Sequence, residues 1–189
     1  MSTHAPSDRT APPEAVPPTG AAATDEAGLD DAGLDDLAAM GLALAEAAQA
    51  VGHGDVPVGA VALHRGRVIA SRHNEREKRG DPTAHAELLA LADAAAALGS
   101  WRLSEVTLVV TVEPCPMCAG GLVAARVGRL VFGAADVKAG ACGSLYNLCA
   151  DPRLNHEVPV TPGVRAAEAS GQLKGFFGDR RPGNAAPGR

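Results

Sequence analysis

Two short stretches decide how this chain is read: Pro82-Thr83-Ala84-His85-Ala86-Glu87 and Glu113-Pro114-Cys115-Pro116-Met117-Cys118. His85, Cys115 and Cys118 supply one imidazole and two thiols, which is a three-ligand zinc set. Three protein ligands leave a tetrahedral ion one open position, so the set reads as catalytic rather than structural. Water fills that position, and Glu87, two residues from the histidine, is the acid/base it needs. The effect of the ion is large. Water ionises with a pKa of 15.7, and zinc can bring this to about 7. At 1.36 kcal/mol per unit that is roughly 12 kcal/mol, more than any side chain here supplies alone.

The spacing also predicts local structure. Residues i and i+2 point to nearly opposite sides of a helix interior, so His85 and Glu87 converge only in a first turn. Thr83 is the expected N-cap, and the Leu/Ala run from Leu88 to Leu98 supplies the helix body. Cys115 and Cys118, three apart, share a helical face, and Pro116 is tolerated in a first turn because its missing N–H has no partner there. Both ligand groups then sit at helix N-termini, whose positive dipole ends favour thiolate.

Outward from this centre, Leu34, Leu37, Ala38, Leu42, Ala45 and Ala48 recur at helical spacing over 34–50. Val58–His64 and Arg67–Ser71 flank a hairpin turn, and a polar loop runs on to Asp81. Val106–Val112 is a strand, followed by the Cys115 helix to about Val127. Arg129–Phe132 is a short strand, 134–144 a loop, and 145–150 a helical turn. Val158–Val160 is a last strand, and Val164–Phe177 a closing helix. A hairpin followed by alternating strands and helices predicts a mixed sheet covered on both faces, a three-layer α/β/α sandwich.

His85-Ala86-Glu87 followed by Pro114-Cys115-Pro116-Met117-Cys118 resembles the signature of zinc-dependent nucleobase deaminases. Val56-Pro57-Val58-Gly59-Ala60-Val61, Asn74, Asp81-Pro82-Thr83, Val131-Phe132-Gly133-Ala134, Asp136-Val137-Lys138, Gly143-Ser144-Leu145, Asn155-His156 and Phe176-Phe177 are similar to the tRNA-editing branch. The match covers roughly 34–181. The resemblance implies a cytidine-deaminase-like fold with a central mixed five-stranded sheet. It also implies one Zn2+ per subunit, a homodimer, and hydrolytic conversion of adenosine to inosine at the wobble position of a tRNA anticodon, in bacteria chiefly an arginine tRNA. Glu87 would be catalytic, and Asn74, Val58, Ala86, Asp136 and Lys138 would bind substrate. Asn74 would read the purine edge, Val58 line the base pocket, and Asp136 and Lys138 meet the ribose-phosphate chain. Deamination of a free base or nucleoside, and a non-catalytic RNA-binding subunit, are the rival readings.

With 189 residues, the natural organisation is one domain over 34–179 between an acidic, Pro/Ala-rich tail (1–33) and a short tail (180–189). The net charge of -5 is unusual for a protein that handles RNA. The first tail accounts for it, with Asp8, Glu14, Asp25, Glu26, Asp30 and Asp31 against Arg9. A local basic strip, Arg65, Arg67, Arg72, Arg76, Lys78 and Arg79, is the footprint of a phosphate grip or else an ordinary solvated hairpin. No membrane span or secretory signal is visible, so a cytoplasmic location is expected. Four cysteines do not suggest a disulfide scaffold; Cys142 and Cys149 read as a loop thiol and a small buried group. His53, His64 and His73 read as turn or surface residues, and Trp101 as packing.

Overall fold

The computed structural model describes residues 33–179. The two predicted tails lie outside these residues, Gly33 apart. The elements are helix α1 (Asp36–Val51), strands β1 (Gly59–His64) and β2 (Arg67–His73), a short helix α2 (Arg76–Arg79) and α3 (Ala86–Leu98). Strand β3 (Val106–Val112), helix α4 (Pro116–Ala124), strand β4 (Arg129–Ala134), a 3-10 turn at Leu148–Ala150, strand β5 (Val160–Thr161) and α5 (Ala166–Asp179) follow. The five strands form one sheet in the order β2-β1-β3-β4-β5. β1 is antiparallel to β2 and β3, while β3, β4 and β5 run parallel. This is the expected α/β/α sandwich with a mixed sheet.

Strand alternation divides the core in two. Val61, Leu63, Val109 and Val131 pack with Ala39, Met40, Ala43 and Leu44 of α1 and Ala169 of α5. Ala60, Ala62, Leu108, Val110, Leu130 and Phe132 face Ala86, Ala90 and Leu91 of α3 and Ala119 and Leu122 of α4. α1 lies very close to the sheet at Gly59, where an added Cβ would stand 2.0 Å from the Ala43 carbonyl oxygen. The ligand-bearing helices therefore share one face, and the first and last helices cover the other.

Three local expectations are corrected. Thr83 does not cap α3. Its N–H and hydroxyl both donate to Asp81 Oδ1 (2.8 and 2.7 Å), closing a turn ahead of the helix, and the N-cap falls on His85. α4 ends at Ala124 rather than near Val127, because Arg126 adopts a left-handed conformation (φ 58) that turns the chain toward β4. The polar loop before Asp81 contains the single turn α2, started where Asp55 accepts the N–H groups of Glu77 (2.8 Å) and Lys78 (3.1 Å).

Candidate active site

His85 and Cys115 occupy equivalent places, the N-cap positions of α3 and α4. Both have extended backbone (φ -78, ψ 147 and φ -71, ψ 172), and neither side chain caps its own helix. The two side chains turn toward each other instead. His85 Nδ1 lies 3.5 Å from the Cys118 sulfur and 3.8 Å from that of Cys115, across 33 and 30 residues of sequence. All three donor atoms fall within 4.8 Å of one another. A tetrahedral ion with bonds of about 2.3 Å to sulfur and 2.0–2.1 Å to nitrogen separates S and N by about 3.6 Å. The observed spacing therefore fits zinc, and His85, Cys115 and Cys118 form a group able to hold a metal ion.

The electrostatics agree with that chemistry. The Cys115 thiol is held down to about 3 by hydrogen bonds with Cys118 and His85. Hydrogen bonding to Cys115 raises His85. Cys118, fully buried and sharing a proton with Cys115, is pushed up. Glu87, in the first turn of α3, is 4 % exposed, and burial raises its carboxyl above the usual range. A carboxylate so placed exchanges a proton more readily near neutrality than an exposed one.

The other sequence candidates are brought to the same side in part. Asn74 is buried, its N–H donates to the Val58 carbonyl (2.9 Å), and its Nδ2 donates to Asp55 Oδ1 (3.3 Å). Because a carboxylate only accepts, this contact fixes the amide orientation. Asn74 Oδ1 is then left buried with no partner among the described residues. Val58 is half-buried against the α3–α4 side of the core. Ala86, the first residue of α3, is fully buried, and its methyl group belongs to the core. Asp136 Oδ1 accepts the N–H groups of Lys138 (2.9 Å) and Ala139 (3.2 Å), which folds the loop after β4, and Lys138 is exposed.

The sequence reading passed over Glu113. Its carboxylate, 3 % exposed, accepts from the N–H groups of Asp136 (3.0 Å), Cys142 (3.0 Å) and Ser144 (2.9 Å), and from the Ser144 hydroxyl. These bonds hold its carboxyl below the usual range even though burial opposes ionisation. Gly140 passes so close that a Cβ there would meet the carboxyl at 2.4 Å. Glu113 stands in the quoted motif two residues before Cys115, and that adjacency was the available signal.

The basic strip is not continuous. Arg65 and Arg67 lie at one end of β2 and Arg76–Arg79 beyond the other, roughly 20 Å apart at strand rise. Most of it is paired: Arg65 with Glu105, Arg72 with Asp93, Arg76 with Glu77, and Lys78 and Arg79 with Glu75. His156 Nε2 bonds the Val127 carbonyl (2.9 Å) and is no ligand. Phe176 is buried and Phe177 is 52 % exposed. No helix of the described residues is long and apolar enough to cross a membrane.

Known proteins resemble this chain in sequence and fold. The profile of the MafB19-like deaminase family matches residues 34–181. A tRNA-specific adenosine deaminase of Bacillus subtilis (strain 168) is 48% identical over 139 residues, 74% of this chain and 86% of the relative. A structure from work on A-to-I editing by tRNA:A34 deaminases at the wobble position of transfer RNA superposes with a TM-score of 0.69 at 41% identity, covering 71% of this chain and 98% of the other. A guanine deaminase from Nitrosomonas europaea superposes at 0.65 with 27% identity, over 78% and 86% of the two chains. The chain belongs to the MafB19-like deaminase family, on the branch that holds the tRNA-specific adenosine deaminases.

Proposed function

We propose that this chain is a cytoplasmic tRNA adenosine deaminase that converts adenosine to inosine at the wobble position of an anticodon stem-loop, an arginine tRNA being the expected substrate. The observation that carries this reading is the meeting of His85 Nδ1, Cys115 and Cys118 at two helix entrances beside the buried Glu87. His85, Cys115 and Cys118 would hold Zn2+, which when bound would supply Lewis-acid activation of water at neutral pH. Glu87 takes the proton from that water and delivers it to N1 of adenine. The remaining hydroxyl adds at C6, Glu87 would carry its proton to the 6-amino group, and the C6–N bond breaks to release ammonia, so adenosine and water become inosine and ammonia.

Asn74 meets the substrate through the unpartnered Oδ1, with Val58 forming the apolar wall. The N–H of Ala86 faces the site at the N-terminus of α3. The loop of Asp136 and Lys138 meets the ribose-phosphate chain. A loop base is nearly single-stranded already, so extruding it costs little. The active unit is a homodimer. Supporting it, Trp101, Leu154, Tyr146 and Leu145 are exposed apolar residues, and Trp101 and Leu154 border an open groove of about 490 Å³ along α4.

The likeness to a guanine deaminase favours a second reading, deamination of a free base. Assaying ammonia release from an anticodon stem-loop with adenosine or guanosine at the wobble position, beside free adenosine, cytidine and guanine, separates the two. Activity confined to the adenosine stem-loop is expected. Activity on a free base with none on RNA would reverse the assignment.

A further inference from the structure

A second cluster lies at the opposite end of β2 from the hairpin turn. His53 sits in the turn after α1, His73 closes β2, and Glu75 follows two residues later. One donor atom from each falls within 4.8 Å of the other two, and the imidazole rings stand 5.2 Å apart at 35°. His53 is the turn residue that the sequence suggests, but both rings are half-buried rather than on the open surface.

Each ring is held by its own carboxylate. His53 Nδ1 is 2.9 Å from Asp55 Oδ2, and His73 Nδ1 is 2.9 Å from Glu46 Oε2. Since a carboxylate only accepts, each Nδ1 carries a proton, and in the neutral ring each Nε2 presents a lone pair. His53 Nε2 is then buried with no partner among the described residues. His73 Nε2 faces Glu75 Oε1 at 3.7 Å, acceptor against acceptor. With neutral rings, these acceptors offer a metal ion donor atoms that no hydrogen occupies. Carboxylates holding the far nitrogens of two histidines is also the pattern that orients imidazole ligands around a metal.

The nearby charges permit a divalent ion. Glu46, Asp55, Glu75 and Asp93 stand against Arg72, Lys78 and Arg79, which leaves one negative charge in excess. Lys78 Nζ is 2.5 Å from Glu75 Oε1, so an ion shares that oxygen or displaces the ammonium. Two imidazole nitrogens with one carboxylate oxygen suit zinc, nickel or copper better than magnesium or calcium, which take oxygen shells.

We propose that His53, His73 and Glu75 form a second divalent transition-metal site, apart from the His85–Cys115–Cys118 group. It stands independently of the reaction assigned above. Asn74 lies between His73 and Glu75 and bonds Asp55, so an ion here ties down the segment from which Asn74 projects.

The test loads the full chain, stripped by chelator, with Zn2+ and in parallel with Co2+, and measures ions per chain after desalting. Two per chain are expected. One of the two should give a thiolate-to-cobalt charge-transfer band, and the other should not. His53→Ala and His73→Ala should each drop the ratio to one and keep that band, and Glu46→Gln should weaken the second ion about 10- to 100-fold. A ratio of one in the native chain, or of two in both histidine variants, overturns the proposal. Should the variants fold poorly, 15N shifts of His53 and His73 Nε2 in the native chain decide. Movement with the second equivalent of Zn2+ supports the site, and no movement overturns it.

Discussion

The Glu113 carboxylate accepts the Cys142 N–H at 3.0 Å, joining the end of the strand that delivers Cys115 to the loop that carries Asp136 and Lys138. Two segments remote in sequence thus hang on one buried anion.

Removing that anion leaves three backbone N–H groups and a hydroxyl without their acceptor. Such donors cost about 1–3 kcal/mol when buried and unpaired, so Glu113→Ala should lower stability by about 3 kcal/mol in denaturant titrations. The freed loop should also raise KM for an anticodon stem-loop more than it lowers kcat. An unchanged KM at normal metal content would show that the loop does not need this anchor.

Glu87→Ala should retain metal and cut turnover on the stem-loop by about 10²-fold or more, since it removes the proton carrier and no ligand. Metal analysis and single-turnover assays check this together. Near-normal turnover would remove Glu87 from the mechanism.

Cys118→Ala should lose the metal bound beside His85 and, because Cys118 is fully buried, also lower the melting temperature. Chelation of the native chain should lower it too, reversibly on adding Zn2+. A melting curve indifferent to chelator would argue against an ion at this position.

Stability should fall with acid in a defined order. Hydrogen bonding and charge from Lys78 and Arg79 hold the Glu75 carboxyl at about 2, and Asp55 and Glu113 are also depressed. Groups depressed in the folded state contribute stability fully above their unfolded values near 4, and lose it as pH falls through the folded ones. Urea midpoints should therefore hold between pH 7 and 5 and drop from about pH 4 downward. Glu75→Gln should make that drop shallower.

Trp101→Glu places a charge on the exposed apolar rim of the α4 groove. Sedimentation velocity should show the chain shifting from dimer to monomer, with helix content unchanged by circular dichroism. A variant that stays dimeric would place the contact elsewhere.

The layer order and the placement of both ligand groups at helix entrances are legible because periodicity and ligand spacing are local properties. His85, Cys115 and Cys118 carry their chemistry in their spacing. Thr83 misled because a side chain suited to N-capping serves a turn equally well, and only Asp81 in space chose between them. The partners in long-range contacts are not named by the sequence, even where, as at Glu113, a neighbouring motif marks one end. Asp55 fixes Asn74 across 19 residues and Glu113 holds Ser144 across 31, and neither carboxylate stands out in composition. The basic strip looked continuous because sequence adjacency hides the length of an extended strand.

α1 and α5 pack against the sheet face turned away from His85 and the two cysteines. A passenger polypeptide spliced ahead of the first helix or behind the last would be attached to the back of the molecule, leaving the working side clear. The architecture is thus suited to life as a cassette, movable into larger multifunctional chains without redesign of its catalytic front.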